Sequence, residues 1–329
     1  MSERNIATPV AEPLQSGADQ RLGDSGLRAA GYLHPLYAQS LSESGQPVEL
    51  PLCGGWLLGR PVPATSAVDA TGVYPLFCCR NWALLGEDLR SIGGEFVSIV
   101  LVADPFGDHT ELSLRAMFDY VVPFKPHFVA DLEQPVEQFT SASHRKFARQ
   151  AQRQLQIEVC SDPVRELDAW CELYGQLVRR RGITGIQRFS RFAFELQLRV
   201  PGLVMFRASR RGETVGLDLW YVQGAVAQGH LVAFSESGYE LHAGYGLKLA
   251  IIEYFRNRVR WLNLGGAAGP NPQANDGLTA FKRGWASGTR MAWLCGRILD
   301  RRCYAELVRQ RGIDPNTPYF PAYRSGEFL

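Results

Sequence analysis

The sequence predicts a mixed α/β protein made of two units in tandem, and three observations carry that expectation. At 329 residues the chain exceeds the size at which one hydrophobic core usually stops growing, about 250–300 residues. Its 46% hydrophobic and 21% charged residues are the balance of a globular chain. Apolar runs of strand character alternate with helical spacings through both halves.

Taken in order, residues 1–28 are polar and rich in Pro, Gly, Ser and Gln, the composition of a disordered arm. A first unit is expected over 29–135. It holds a short helix at 35–42 and strands at 47–52 and 56–59 around a Cys53-Gly54-Gly55 turn. Trp82, Leu85, Leu89 and Ile92 share one helical face, stopped by Gly93-Gly94. The β-branched run FVSIVLV at 96–102 reads as a strand buried on both faces. A helix at 111–120 and a strand at 127–131 complete this unit.

A polar stretch with Pro135 separates it from a second unit over 136–295, which opens on the basic helix SASHRKFARQAQRQ. A strand at 157–160 follows, then an amphipathic helix at 164–181 ending at Gly182 and a helix at 190–200 stopped by Pro201. Strands at 203–209, 213–222 and 225–234 are joined by tight polar turns. A helix at 245–259, a strand at 260–264, a Gly-rich loop, a helix at 278–285 and a strand at 290–295 close the unit. A helix and tail occupy 296–329, and no fixed-period repeat is present.

The net charge of +2 implies no strong field over the whole surface, so a nucleic-acid partner would have to meet a local patch. Only Lys125, Lys146, Lys248 and Lys282 among the 35 basic residues are lysines, so a lysine at a special position stands out. Seven cysteines, an odd number without a C-x-x-C pair, read as reduced thiols and not as a disulfide frame or zinc site. The N-terminal stretch lacks the apolar core of a signal peptide, and no apolar run approaches the ~20 residues of a membrane span, so the expected compartment is the cytoplasm. The histidines form no ligand cluster, so no metal is expected. Neither a Gly-x-Ser-x-Gly elbow nor a Walker loop occurs, which argues against a hydrolase or an ATPase.

Arg145, Arg149 and Arg153 recur every four residues and share one face, either a solvated surface or a contact for donor phosphates. The loop Leu241-His242-Ala243-Gly244-Tyr245-Gly246 opens a helix, where unpaired N–H groups and glycines can cradle an anion. Tyr239 and Tyr245 flank it, able to pack or to meet a substrate. Asp104 follows the buried strand of the first half, at a strand end where α/β sheets often bind ligands.

The strand–helix–helix–three-strand–helix–strand–helix–strand order of the second half resembles the GNAT acyltransferase fold. That fold meets the pyrophosphate of acyl-coenzyme A with a Gln/Arg-x-x-Gly-x-Gly/Ala loop. Gly244 and Gly246 fit this pattern, whereas Leu241 stands at its polar first position. Trp261–Gly266 and the later Gly277-Leu278-Thr279-Ala280-Phe281-Lys282-Arg283-Gly284-Trp285 resemble the C-terminal signature of the Fem-type aminoacyltransferases. This resemblance covers about residues 140–295. It implies two GNAT-like domains in tandem, each a mixed, mostly antiparallel sheet flanked by helices.

The same resemblance implies transfer of an amino acid from aminoacyl-tRNA to an amine, most commonly a peptidoglycan precursor, with no tightly bound cofactor; a small natural-product amine fits the residues equally well. An acyl-coenzyme A donor is the alternative, and a non-catalytic binding module is a third reading. Lys282, beside Phe281, falls where the family pattern has its Phe-Lys pair, and its ammonium would stabilise charge developing on oxygen. Candidates for a base are Asp218, Glu236, Glu240, His242 and Asp276, with Asp104 and Asp218 expected on the acceptor side and His242 equally suited to capping its helix. The sequence is silent on oligomeric state.

Overall fold

The computed structural model describes residues 29–267, 277–314 and 317–327; the arm expected over 1–28, and Asp276, lie outside them. The first half runs α1 (Pro35–Gln39), β1 (Gln46–Leu50), β2 (Gly55–Pro61), β3 (Val68–Gly72), α2 (Leu85–Ser91), β4 (Ser98–Ala103), α3 (Glu111–Met117) and β5 (Tyr120–Asp131). The second opens with α4 (Val136–Phe139), α5 (Ala142–Gln152), β6 (Gln156–Val159), α6 (Leu167–Arg181) and α7 (Arg191–Gln197). It continues through β7 (Leu203–Arg210), β8 (Glu213–Gln223), β9 (Val226–Phe234), α8 (Glu236–Glu240) and α9 (Ala243–Phe255). Last come β10 (Trp261–Gly265), α10 (Gly277–Arg283), β11 (Gly288–Ile298) and α11 (Arg301–Gln310).

Among the described residues the strands all join one eleven-stranded sheet in the order β1-β2-β3-β4-β11-β5-β10-β9-β8-β7-β6. The two halves repeat one plan. Each has an antiparallel run (β1-β2-β3; β6-β7-β8-β9) followed by a parallel step, β3 to β4 and β9 to β10. Both parallel contacts are short, two and three residue pairs, so neighbouring strands part there. The halves also exchange their last strands. β11 lies between β4 and β5 of the first half, and β5 lies between β11 and β10 of the second.

Several differences from the sequence reading have physical causes. β5 starts at Tyr120, seven residues before the predicted strand, because Pro123 and Pro126 argue against a central strand. Over Tyr120–His127 its only described ladder is with β11, since β10 pairs only with Phe128–Asp131. A proline without an N–H is tolerated where one edge carries no ladder. β3 carries Asp69 and ends in glycine, so its sequence lacks strand character; the buried carboxylate is held by Arg324 Nε and Nη2 at 2.5 and 2.9 Å and by the Tyr323 hydroxyl at 3.0 Å. That contact ties the C-terminal segment across the first-half sheet. Other helix and strand ends shift by a few residues.

Helices cover both faces of the second half. α9 packs on one face through Leu247, Ile251 and Phe255, joined by Trp220 and Trp285. On the other, α6 and α7 bury Trp170, Leu173 and Phe194 against Met205, Leu217 and Leu219. The Cys53, Cys78 and Cys295 thiols are buried and the remaining four are partly so, all unpaired. Among the described residues no helix is long and apolar enough to cross a membrane, and no group of three metal-binding side chains is assembled.

Candidate active site

Where β9 and β10 part, a cavity of about 430 Å3 opens. Three of the four lysines, Lys125, Lys248 and Lys282, line it.

Lys282 is presented by α10, and the residues around it explain how. Phe281 packs edge-on to Tyr245, ring centroids 4.9 Å apart, and fully buried Trp285 lies edge-on to His144 at 5.3 Å. The Phe281 carbonyl can only accept, so His144 donates to it through Nε2 (3.1 Å), and Nδ1 accepts from the Ser141 hydroxyl (2.7 Å). Gly284 must be small, because a Cβ there would sit 2.3 Å from His144 Nε2. With the aromatic side thus clasped, the Lys282 ammonium donates to the Gly266 carbonyl at 2.6 Å. Gly265, at φ +77°, takes a conformation open to glycine, and a side chain there would crowd Lys282 Nζ. Lys125 donates to the next carbonyl, Ala267, at 3.4 Å, and burial holds its ammonium below the usual lysine range.

Beneath them Asp218 and Lys248 form a buried ion pair at 2.7 Å, with the ammonium 4.6 Å from the centre of the Trp220 ring. Burial raises the Asp218 carboxyl, opposed by the charge of Lys248 and, more weakly, of Lys282.

A buried chain of amides joins the halves across the cavity wall. Gln228 donates to both oxygens of Asp104 at 3.3 Å, and Asn263 donates to Gln228 at 2.7 Å. The Asn263 oxygen accepts the Gly265 N–H at 2.9 Å and faces His127 Nδ1 at 3.1 Å. Nδ1 therefore carries the proton, and Nε2 keeps its lone pair. Burial lowers the His127 pKa to about 4; the Asn263 hydrogen bond opposes this, and the charges of Lys282 and Lys125 add to it. His127 lines the cavity, and among the described residues no donor is paired with Nε2.

The comparisons with known proteins bear on the fold that carries this cavity. The Acetyltransferase (GNAT) domain family matches residues 139–283. The chain is accordingly an acyltransferase. Among solved structures, FemX superposes with a TM-score of 0.58 at 13% identity, covering 83% of this chain and 93% of that one. L-PGS from Bacillus licheniformis gives 0.55 at 12% identity, covering 84% and 95%. These likenesses show a shared tandem fold. No curated protein matches the sequence significantly.

The predicted site residues separate into groups. Lys282, Phe281 and Asp218 meet in the cavity. Asp104 stands behind its wall, 9% exposed, holding Gln228, the Phe106 N–H and the Cys78 thiol. At the start of α9, Gly244 and Tyr245 back onto Phe281, whereas Gly246 lies against β6 and α5, where a Cβ would meet Ile157 at 2.8 Å and Ala151 at 3.0 Å. His242, at φ +56°, lies outside the cavity with its ring on Phe147, 4.7 Å away. Tyr239 borders a second hollow of about 390 Å3, under the Arg180 guanidinium at 4.5 Å. Arg145 is drawn to the Thr140 carbonyl and hydroxyl, while Arg149 on α5 and Arg153 at its C-terminal cap are exposed. His127, Asn263, Gln228, Lys125 and Lys248 went unnoticed as site residues, and lysine scarcity was the one signal that marked two of them.

Proposed function

We propose that the chain forms an amide by moving an aminoacyl group from aminoacyl-tRNA to an amine, in a ternary complex and without a covalent enzyme intermediate. The observation that carries this is the pairing, in one cavity, of the Lys282 ammonium with the His127 Nε2 lone pair. In this reading the neutral amine attacks the ester carbonyl carbon, and Lys282 donates a hydrogen bond to the oxygen on which charge develops. The amine proton passes to His127 Nε2. As the carbon–oxygen bond to the ribose breaks, that proton goes on to the departing oxygen, giving an amide and a free ribose hydroxyl. Arg149 and Arg153 are the proposed contacts for donor phosphates, with Gly244 and Tyr245 supporting Phe281 from behind.

Coenzyme A thioester is the second reading. Two observations favour tRNA over it: Leu241, at the polar position of the GNAT pattern, is 9% exposed within the core, and Gly246 is packed against β6 and α5. Acceptors consistent with the family resemblance are a peptidoglycan precursor or a small natural-product amine, met in the cytoplasm.

The test is transfer of label from a mixed aminoacyl-tRNA pool, run beside labelled acetyl-coenzyme A, into both kinds of acceptor. Label leaving tRNA only with enzyme, and reduced about 100- to 1000-fold by Lys282→Ala, is the expected result. Transfer from coenzyme A alone would overturn the tRNA reading.

A further inference from the structure

The cavity has two chemically different ends. Its charged lining residues, Lys125, Asp218, Lys248 and Lys282, stand with His127 and the Gly265–Gly266 turn. The other end is walled by Tyr32, Tyr74 and Leu76 from the first half and by Tyr174, Leu177 and Ile183 from the second. Tyr32, Leu76 and Tyr174 are at most 3% exposed, so this wall belongs to the core and is fixed by packing.

The polar side-chain atoms of Tyr174, Tyr32 and His230 at this end already have partners. Tyr174 donates its hydroxyl to the Gln187 carbonyl at 2.7 Å. His230 spans Tyr32 and Gln197, with Nδ1 3.3 Å from the hydroxyl and Nε2 3.2 Å from the amide oxygen. An amide oxygen only accepts, so Nε2 donates and Nδ1 accepts from Tyr32. Burial drives the His230 pKa down to about 3, which leaves the ring neutral. The rings brace one another: Tyr32 lies edge-on to His230 at 5.7 Å, and Tyr74 lies 6.0 Å from Phe189. Apart from the Tyr74 hydroxyl, such a surface offers little to a sugar hydroxyl or a charged group, and burying a polar group against it without a partner is costly.

We infer that this end is a side-chain pocket for an apolar group of leucyl or phenyl size, so that one of the two substrates joined at Lys282 carries a hydrophobic side chain. The inference rests on the acyl-transfer reading only in taking the Lys282 end as the reacting end. Sealing such a side chain from water favours it over a polar one by roughly 10- to 100-fold.

Binding is the primary test, because it does not require turnover. The whole protein is titrated with leucinamide and phenylalaninamide, and with serinamide and lysinamide, followed by thermal shift and intrinsic fluorescence. The apolar amides should bind at least roughly tenfold more tightly. Ile183→Trp, which fills the pocket from its rim, should remove that preference. Tyr74→Ala, which enlarges the pocket, should shift it towards naphthylalaninamide, and serves if the first variant folds poorly. Equal binding of serinamide, or a preference unchanged in both variants, overturns the inference. The same side chains are then offered on the aminoacyl donor or on the acceptor amine, to assign the pocket to one substrate. Transfer without side-chain preference sinks the pocket and leaves the reaction standing; apolar preference in binding without transfer from any donor sinks the reaction and leaves the pocket.

Discussion

Lys248 and Asp218 show how one buried pair shapes its surroundings. With side-chain exposures of 11% and 3%, neither tolerates loss of the other. Lys248→Met should destabilise the protein by about 3 kcal/mol at pH 8, where Asp218 stays ionised without a partner. The cost should shrink towards pH 5, as the already raised carboxyl takes up a proton, so urea titration at both pH values should give a larger loss at the higher one. His127 and His230 make the opposite contribution. Their folded pKa values, about 4 and about 3, lie below the unfolded 6.5. The unfolded chain therefore binds protons first, and stability drains away as pH falls from 6.5 towards 4, by roughly 1.4 kcal/mol per pH unit for each ring. Burial acts on Asp104 and Asp218 with the reverse sign, so the net slope is mixed. Ring proton shifts in NMR isolate the effect: the His127 and His230 signals should stay constant from pH 8 to pH 5, and movement of either in that range would contradict the burial argument. Lys282 was legible in the sequence because it is a rare residue in a specific setting. His127 was not, because Asn263, which fixes its tautomer, and Gln228 and Asp104, which continue the chain, come from four different strand regions once His127 itself is counted.

At the scale of elements, the Phe-Lys-Arg-Gly-Trp run of α10 acts as a mount. Phe281 and Trp285 hold one side against Tyr245 and His144, and Lys282 works from the other. Gly284→Ala should push the His144 ring, break its bond to the Phe281 carbonyl and cost about 1–3 kcal/mol of stability. Turnover should fall further than stability explains, since α10 aims the ammonium; a variant with full turnover per folded molecule would rule out this role. The helices and antiparallel strands of the second half were readable because their turns and stops are local chemistry, such as Gly182 at φ +60° ending α6. β5 and β11 were read too short. Strand length there is set by the partner strand, and Pro123 and Pro126 hid the first turns of pairing.

For the molecule as a whole, the reciprocal placing of β5 and β11 binds the halves into one sheet, although the sequence reading expects a boundary near residue 135. Neither half retains a complete sheet alone. A chain ending before Gly288 would leave β4 without its β11 ladder and β5 with only its short contact to β10. Such a truncation should abolish cooperative unfolding of both halves together, whereas the intact protein should unfold in one transition seen alike by tryptophan fluorescence and far-UV circular dichroism. Two separated transitions in the intact chain would show that the halves are independent. The arrangement also sets a timetable for biosynthesis. At ~5–20 residues per second, the ribosome releases β11 on the order of 10–30 s after β5. Throughout that wait the nascent first half carries an unfilled slot between two apolar strands, so the newborn chain has reason to need a chaperone that the finished enzyme does not.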